Sequence, residues 1–288
     1  MSDEPAPTHT LTTADGRTLA WAEYGDPAGP PLFLFHGTPG SRFDRDPWAR
    51  PLAARLIVPD RPGYGRSSPQ PGRRITDWPA DVAAIADHLG IERFAVAGIS
   101  GGGPYSLACA ALLPERVTRA GVICGVAQLD WDGANDGMLE SNIALNEAAR
   151  DQPEVLRAMG DGMAAAIQAD VDGFLAEMRD LPEPDLLVMA EPEVRAAMRA
   201  SLLEATRQGG AAFADDEILF AHPWGFDPAT ITVPVRLWQG ALDRNVPVGH
   251  AHHLAEMIPG AQLTILPDEA HVSLAFRHAA TFAAELVG

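Results

Sequence analysis

A serine between glycines is the strongest candidate for covalent chemistry in this sequence. Ser100 lies in Gly98-Ile99-Ser100-Gly101-Gly102, directly after the apolar run ERFAVAGIS and directly before the helical pattern GGGPYSLACAALLP. A sharp turn from a buried strand into a helix exposes a hydroxyl at the helix N-terminus, beside backbone N–H groups. The pattern therefore predicts a nucleophilic serine. The alternative is a glycine-rich turn with an incidental N-cap serine.

Two other glycine-containing motifs lie at the ends of predicted strands. HGTPG at residues 36–40 follows the run PLFLF, and DRPGYGRS at residues 60–67 follows RLIVP. Together with the serine turn, these motifs resemble the α/β-hydrolase superfamily, in the group that carries a helical cap between strands six and seven. The resemblance covers the chain from about Leu11 to its end. It implies an α/β fold with a mostly parallel eight-stranded sheet and a helical cap inserted after strand six.

A serine nucleophile needs a base to take its proton and an acid to orient that base. The family resemblance places the acid after strand seven and the base after strand eight. Asp243 follows VPVRLWQG and His271 follows AQLTILP, so the predicted triad is Ser100, Asp243 and His271. Asp130 and Asp132 are the rival acids, because some members of the family place the acid after strand six.

The predicted reaction also needs an oxyanion hole built from two backbone N–H groups. Gly101, directly after the serine, supplies one predicted donor, and the resemblance implies Thr38 as the other. His36 is interpreted as a structural residue of the same loop and not as a base.

The elements that must position these residues alternate along the first half of the chain. Apolar runs bounded by turn residues predict parallel strands joined by helices. The predicted strands cover residues 18–25, 31–37, 55–60, 92–100, 119–126, 233–240 and 261–267. A short helix is predicted over residues 48–56, and a single closing helix over residues 272–288.

The segment between the sixth and seventh strands has a different character. From about residue 128 to residue 222 the pattern is helical and is interrupted by Pro153, Pro182, Pro184 and Pro192. We therefore predict a hydrolase core of residues 1–127 and 226–288, and a helical cap of residues 128–225.

The predicted cap is acidic and contains several large apolar side chains. It holds 20 Asp or Glu against 6 Arg, which indicates solvated helix faces and would discourage anionic substrates. Trp131, Met138 and Trp224 predict an apolar underside that binds an acyl or aromatic group of a small-molecule substrate. The alternative is that they form a small core of the cap itself.

Composition excludes several other classes of protein. A net charge of -18 disfavours nucleic acid and anionic membranes as partners. The sequence has no lysine, which excludes a Schiff-base or P-loop lysine. No apolar stretch approaches the length of a membrane span, and the first residues do not resemble a secretory signal. We expect a cytoplasmic protein, either a monomer or a homodimer.

The sequence predicts neither a metal nor a cofactor. Cys109 and Cys124 lie in apolar runs, which favours buried thiols over catalytic ones. His250, His252 and His253 are close together, but their spacing does not stack them on one helix face, so a solvated helix start is preferred to a metal site.

These observations combine into a carboxylesterase-like serine hydrolase that cleaves an ester-like bond of a small apolar or aromatic substrate through an acyl-enzyme. A carbon–carbon bond hydrolase of ring-cleavage products is one alternative, although Val272 stands where such enzymes often have Trp. A ligand-binding protein with little turnover is another. Haloalkane dehalogenases and epoxide hydrolases use Asp in place of Ser100. Proline iminopeptidase-like enzymes carry a different turn around the serine.

Overall fold

Short apolar runs form one eight-stranded sheet in the computed structural model, which describes residues 6–44 and 52–288. The strands are β1 (His9–Thr12), β2 (Thr18–Gly25), β3 (Pro31–Phe35), β4 (Arg55–Pro59), β5 (Phe94–Ile99), β6 (Val117–Ile123), β7 (Val235–Gly240) and β8 (Gln262–Leu266). Their spatial order is β1-β2-β4-β3-β5-β6-β7-β8. β2 pairs antiparallel with β1 and β4, and all other neighbours are parallel. The predicted mostly parallel sheet is confirmed.

The edge strand β1 is the one strand that no apolar run predicts. It is 4 residues long, mostly exposed, and pairs only with β2. An exposed edge strand has no buried face on either side, so its sequence lacks the pattern that marks the central strands.

The central strands are covered on both faces, as continuous apolar runs require. In β3, Phe33 and Phe35 pack into a cluster with residues of the first two helices, whereas Leu32 and Leu34 face a second cluster around Phe282. This alternation follows from the two-residue period of a strand. Because both faces of the sheet are covered, the carboxyl ends of the strands form the edge at which a site can be built.

Eleven α-helices are found in the described part of the chain. In chain order they are α1 (Trp78–His88), α2 (Gly103–Leu112), α3 (Glu140–Asp151), α4 (Pro153–Ala169), α5 (Val171–Glu177), α6 (Glu183–Met189), α7 (Pro192–Ala205), α8 (Ala211–Ala221), α9 (Val248–Met257), α10 (His271–Arg277) and α11 (Ala279–Val287). Of the predicted helix over residues 48–56, residues 48–51 lie outside the described residues. The rest of that prediction is wrong, because residues 52–54 are not helical and Arg55 begins β4. None of the described helices is long and apolar enough to cross a bilayer.

Six of these helices, α3 to α8, lie in the chain between β6 and β7. The prolines that interrupt this segment lie at helix starts: Pro153 and Pro192 are the first residues of α4 and α7, and Pro182 and Pro184 flank the start of α6. Proline is tolerated there because the first turn of a helix has no partner for its N–H groups. The domain boundaries at residues 128 and 225 stay a prediction.

The single closing helix predicted over residues 272–288 is wrong. The structure has two helices, α10 and α11, separated at His278. The His278 ring is paired with Glu269 through Nε2 and Oε1 at 2.9 Å. The apolar pattern continues across both helices and therefore does not reveal the break between them.

Candidate active site

Ser100 lies at the turn between β5 and the helical segment that begins α2. Its φ is 53°, a left-handed backbone conformation that residues other than glycine rarely adopt. A Cβ on Gly98 would collide with the carbonyl of Gly102, and a Cβ on Gly102 would collide with the carbonyl of Phe35. Both glycines are therefore required by the close approach of the helix start to the strands.

The imidazole of His271 is paired with the carboxylate of Asp243. His271 begins α10, just after β8, and its Nδ1 lies 2.7 Å from Asp243 Oδ2. Asp243 is buried and accepts three further hydrogen bonds: from Gln239 Nε2 at 2.9 Å and from the backbone N–H groups of Asn245 at 2.8 Å and Val246 at 2.9 Å. With Nδ1–H donated to this carboxylate, Nε2 keeps a lone pair that can accept a proton.

The electrostatic setting of His271 favours its protonated form. Burial opposes protonation of the ring, but the Asp243 carboxylate outweighs burial and holds the pKa of His271 well above its ordinary value. A raised pKa makes the His271 imidazole a stronger base toward the serine hydroxyl.

Cys124, which follows β6, links the segment that carries the serine to the one that carries the histidine. Ile99 of β5 is in register with Ile123 of β6, so the residues that follow them, Ser100 and Cys124, emerge side by side. Cys124 also has a positive φ, of 42°, and its Sγ donates to the His271 carbonyl at 3.6 Å. Among the described residues no hydrogen bond joins Ser100 Oγ to His271. Such bonds are often long before a substrate binds.

The rival acids lie elsewhere. Asp130 is exposed and accepts a hydrogen bond from Gln128 at 2.8 Å, and Asp132 is exposed. Of these carboxylates, Asp243 is the one that contacts the His271 ring.

The two predicted oxyanion donors are adjacent. A Cβ on Gly101 would collide with Thr38 Oγ1 and would lie 2.9 Å from Phe220 Cζ. A Cβ on Gly37 would lie 3.7 Å from Ser100 Cβ. The backbone at residues 37–38 thus faces the backbone at residues 100–101, an arrangement in which the N–H groups of Thr38 and Gly101 could serve one oxygen atom.

The loop that carries Thr38 is held from beneath by two buried side chains. His36 Nδ1 lies 2.8 Å from the Gly37 carbonyl, and His36 Nε2 accepts from the Arg61 N–H at 3.2 Å. Burial and the Arg61 guanidinium keep the pKa of His36 well below its ordinary value, so the ring is neutral. Arg61 Nη2 donates to the Gly37 carbonyl at 3.0 Å and to Thr38 Oγ1 at 2.8 Å.

Sequence reasoning missed Asp216, a fully buried acid on α8. It forms ion pairs with Arg61 at 2.7 Å and Arg73 at 2.6 Å. One signal could have found it. Asp216 shares a helix face with Phe213 and Phe220, at spacings of three and four residues, and an acid on an apolar helix face needs a buried partner.

Sequence reasoning also missed Asp185, a buried acid on α6. Its two carboxylate oxygens accept from the backbone N–H groups of His271 at 3.2 Å and Ser273 at 2.8 Å. Asp185 thus caps the first turn of α10, which carries the candidate base. Nothing local in the sequence marks it, because an acid in the first turn of its own helix is ordinary.

The three predicted substrate-binding residues make other contacts. Trp131 stacks on His253 with ring centroids 4.6 Å apart, and Trp224 stacks on Phe226 at 5.8 Å. Met138 is buried, and its sulfur accepts a hydrogen bond from an asparagine of α3 at 3.3 Å. Their part in substrate binding stays a prediction.

The expectation of a solvated helix start is wrong for His250, which is fully buried. Its Nδ1 accepts from the Ala127 N–H at 3.0 Å, and its Nε2 lies 2.7 Å from the Ala134 carbonyl. Burial lowers its pKa. The ring therefore ties α9 to the chain that leaves β6, a contact that helix-face spacing does not reveal.

One group of side chains in the described part of the chain could hold a metal ion. Ligand atoms of Cys124, Asp243 and His271 lie within 4.8 Å of one another. The Asp243 carboxylate already accepts four N–H groups, and burial raises the pKa of the Cys124 thiol. These features suit proton transfer better than metal binding. Both cysteines are free and buried, as predicted.

Comparison with known proteins agrees with the fold. A family model described as alpha/beta hydrolase fold matches residues 30–277. The chain is 27% identical over 284 residues to the uncharacterized hydrolase YcgS of Bacillus subtilis (strain 168), with 96% of each chain covered. It is 37% identical over 136 residues to a probable proline iminopeptidase of Streptomyces coelicolor. The aligned region covers 43% of this chain and 41% of that protein.

A solved structure is similar over nearly the whole chain. An alpha/beta hydrolase fold protein from Nakamurella multipartita has a TM-score of 0.68 and 27% identity, covering 98% of this chain and 99% of the other. Sheet order, the strand-to-helix serine and the family match over residues 30–277 lead to the same conclusion. The chain belongs to the alpha/beta hydrolase fold family.

Proposed function

We propose that this protein is a serine hydrolase that cleaves a carboxylic-ester-like bond through an acyl-enzyme at Ser100. The observation that carries the proposal is the 2.7 Å pairing of His271 Nδ1 with the buried Asp243 carboxylate, at the strand edge where Ser100 emerges. Buried charges are costly unless they have a partner. The Asp243 carboxylate accepts four N–H groups, one of them from the His271 imidazole, so its charge is fully partnered and can stabilise an imidazolium during proton transfer.

The first half of the reaction follows from these positions. Ser100 Oγ attacks the ester carbonyl carbon, while His271 Nε2 takes the hydroxyl proton. The carbonyl oxygen gains a negative charge, which the N–H groups of Thr38 and Gly101 stabilise. The tetrahedral intermediate collapses, the carbon–oxygen bond to the alcohol breaks, and His271 returns the proton to the leaving alcohol.

The second half repeats the chemistry with water. His271 takes a proton from a water molecule, the resulting oxygen attacks the acyl carbon, and the bond to Ser100 Oγ breaks as that oxygen regains the proton. The Asp243 carboxylate stabilises the imidazolium in both halves of the reaction. No metal or cofactor is needed in this sequence of steps.

The substrate is proposed to be small and apolar or aromatic near the reacting carbonyl. The ring of Phe220 lies against Gly101, so an apolar surface borders the proposed oxyanion hole. The acidic segment above the core disfavours anionic ligands at long range. This charge argues against the dianionic substrates of carbon–carbon hydrolases.

Cleavage of an N-terminal residue from a peptide is a second candidate. It is favoured by the 37% identity over 136 residues to the probable proline iminopeptidase. Amide cleavage uses the same triad and oxyanion hole, but an amide has a poorer leaving group than an ester. The rates of the two activities on matched substrates therefore differ.

The test is labelling of Ser100 by a fluorophosphonate probe, together with a substrate screen. We expect wild-type protein to be labelled and to hydrolyse p-nitrophenyl esters, and Ser100→Ala to lose both properties while its circular dichroism is unchanged. Ser106→Ala on α2 is the matched control. Its hydroxyl donates to the Gly121 carbonyl at 3.0 Å, and it should be labelled normally.

The screen includes p-nitrophenyl esters of increasing acyl length, proline p-nitroanilide and an anionic ring-cleavage product. Fast turnover of an ester supports the proposal, and faster turnover of the anilide would favour the peptidase. Full ester turnover by Ser100→Ala would overturn the mechanism. Absence of labelling in wild-type protein would favour a ligand-binding protein.

A further inference from the structure

We infer that Asp216, which lies on α8 between β6 and β7, is a positioning residue for the oxyanion loop at residues 36–38. The inference rests on the proposed function, because the orientation of the Thr38 N–H affects a rate only if an oxyanion forms there. It gives the helical segment a part in the chemistry, beyond that of covering the substrate.

The two oxygens of Asp216 face different parts of the core. Oδ2 is directed at the loop and accepts from Arg61 Nη2 at 2.7 Å, Tyr64 Oη at 2.9 Å and Thr38 Oγ1 at 3.2 Å. The other oxygen, Oδ1, accepts from Tyr105 Oη at 2.5 Å and from Arg73 Nη2 at 2.6 Å. One carboxylate thus uses both oxygens, and all of its donors are on the hydrolase core.

Two buried guanidinium groups depend on this single carboxylate. Arg61 is fully buried, and Arg73 is nearly so. Burial alone would raise the pKa of Asp216, but the two arginines reverse the effect and hold it well below its ordinary value, so the group is ionised at any working pH. Removing its charge leaves two buried cations without their anion, which is strongly destabilising for such a cluster.

Arg61 passes this constraint on to the peptide group that would stabilise the oxyanion. The Gly37 carbonyl accepts from Arg61 Nη2 at 3.0 Å, and the His36 ring lies 2.8 Å from the same oxygen. Arg61 Nη1 also bonds to the His36 carbonyl. The Gly37 carbonyl and the Thr38 N–H belong to one peptide group. Donors on the carbonyl therefore fix the direction of that N–H and polarise it, which strengthens the bond that it can donate.

The same helix also borders the second proposed donor. Phe220 lies one helical turn after Asp216, and its ring is against Gly101. α8 thus contacts both sides of the proposed oxyanion hole, through a charge on one side and a ring on the other. A displacement of α8 would disturb both donors together.

The test compares Asp216→Asn with Asp215→Asn, the same substitution one position earlier on the helix. Asp215 pairs with Arg157 at 3.0 Å in a partly exposed ion pair away from the loop. We expect Asp215→Asn to match wild type. For Asp216→Asn we expect kcat to fall about 10- to 100-fold, less than the about 10²- to 10³-fold loss that removal of a whole oxyanion donor causes. We expect KM to change by about threefold or less.

Phenylboronic acid supplies a readout that a merely structural role would not move. Its boron accepts a bond from Ser100 Oγ as the serine proton passes to His271, and the tetrahedral anion places an oxygen in the oxyanion hole. Because the adduct mimics the transition state, its affinity should fall by the same factor as kcat/KM in Asp216→Asn. Affinity for a ketone analogue of the substrate that forms no adduct should be unchanged.

Thr38→Val keeps the test decisive if Asp216→Asn does not fold. It removes the hydroxyl that links Thr38 to Arg61 and Asp216 but leaves every buried charge paired. We expect a smaller loss of kcat and of boronate affinity, in the same ratio. Either folded variant having the kcat and boronate affinity of wild type would overturn the inference. Failure of wild type and Asp215→Asn to turn over any ester would instead overturn the proposed function, and this inference with it.

Discussion

Asp243→Asn is the substitution that tests the site most directly, because the two side chains have the same shape. Oδ1 of Asp243 accepts from the backbone N–H groups of Asn245 and Val246, so the oxygen of the new amide would be retained on that side. Its NH2 group would then face two donors, Gln239 Nε2 and His271 Nδ1–H. A donor cannot bond to a donor, so His271 must move its proton from Nδ1 to Nε2.

The magnitude follows from that change of tautomer. With a proton on Nε2, His271 has no lone pair directed at Ser100 and cannot take the hydroxyl proton. In a serine protease triad the same substitution lowers kcat about 10⁴-fold, which corresponds to about 5.5 kcal/mol of transition-state stabilisation. The cost in folding free energy should be smaller, about 1–3 kcal/mol for the disturbed hydrogen bonds, since Gln239 Nε2 keeps its bond to the Val246 carbonyl.

The assay is the pH dependence of kcat/KM on a p-nitrophenyl ester, measured beside urea unfolding. Catalysis needs a neutral imidazole, so the wild-type rate should rise with pH through an apparent pKa above 6.5, the ordinary value for histidine. Loss of the carboxylate that raises this pKa should shift the limb to lower pH in Asp243→Asn. Asp132→Asn, at the exposed rival acid, is the matched control and should match wild type in rate and in pH profile.

Two results would refute this reasoning. If Asp243→Asn kept a tenth or more of the wild-type rate, about 1.4 kcal/mol or less would separate the two, and the carboxylate would not be orienting the base. If Asp132→Asn were the slow variant, the acid would lie after β6.

Two further substitutions test acids of the helical segment between β6 and β7. Asp185→Ala removes the cap of α10, so we expect the unfolding free energy to fall by about 1–2 kcal/mol. The rate of ester hydrolysis should also fall, because His271 begins that helix. Glu183→Ala, at an exposed position in the same turn of α6, should change neither quantity, and equal effects of the two substitutions would contradict the capping role. Burial and the neighbouring Asp216 raise the pKa of Glu217 to about 8 from an ordinary 4.5, so the folded state holds its proton more tightly and loses stability as pH rises between these values. Glu217→Gln should therefore raise the unfolding free energy by about 2 kcal/mol at pH 9, a figure reduced because the Glu217 side chain is partly exposed. Near pH 4 it should change nothing, and an equal gain at both pH values would contradict this reasoning. Glu147→Gln, at an exposed position, is the control.

Local patterns predicted the central sheet because each of its strands carries its own signal. A strand covered on both faces must be apolar along its length, and a turn that brings a helix start against a strand must have glycine where a Cβ would collide, as at Gly98 and Gly102. These requirements depend on residues close in sequence. The edge strand β1 and the break at His278 escaped prediction because neither depends on a local apolar pattern.

The candidate site divides in the same way. The turn at Ser100 is a local motif, and the positions of Asp243 and His271 followed from the family resemblance and the strand order. The supporting charges did not. Asp216 contacts Arg61 across 155 positions of sequence, and Asp185 contacts the His271 backbone across 86.

What the sequence by itself determined is therefore the central part of the sheet, the serine turn and the type of residue that follows the strands of the site. Only the tertiary structure decided which acids are buried and what they hold. The free energy of a buried carboxylate depends on the donors around it, and those donors come from segments far apart in the chain. The apolar face around Asp216 indicates that this acid needs a buried partner, but only the fold brings two arginines and two tyrosines to it.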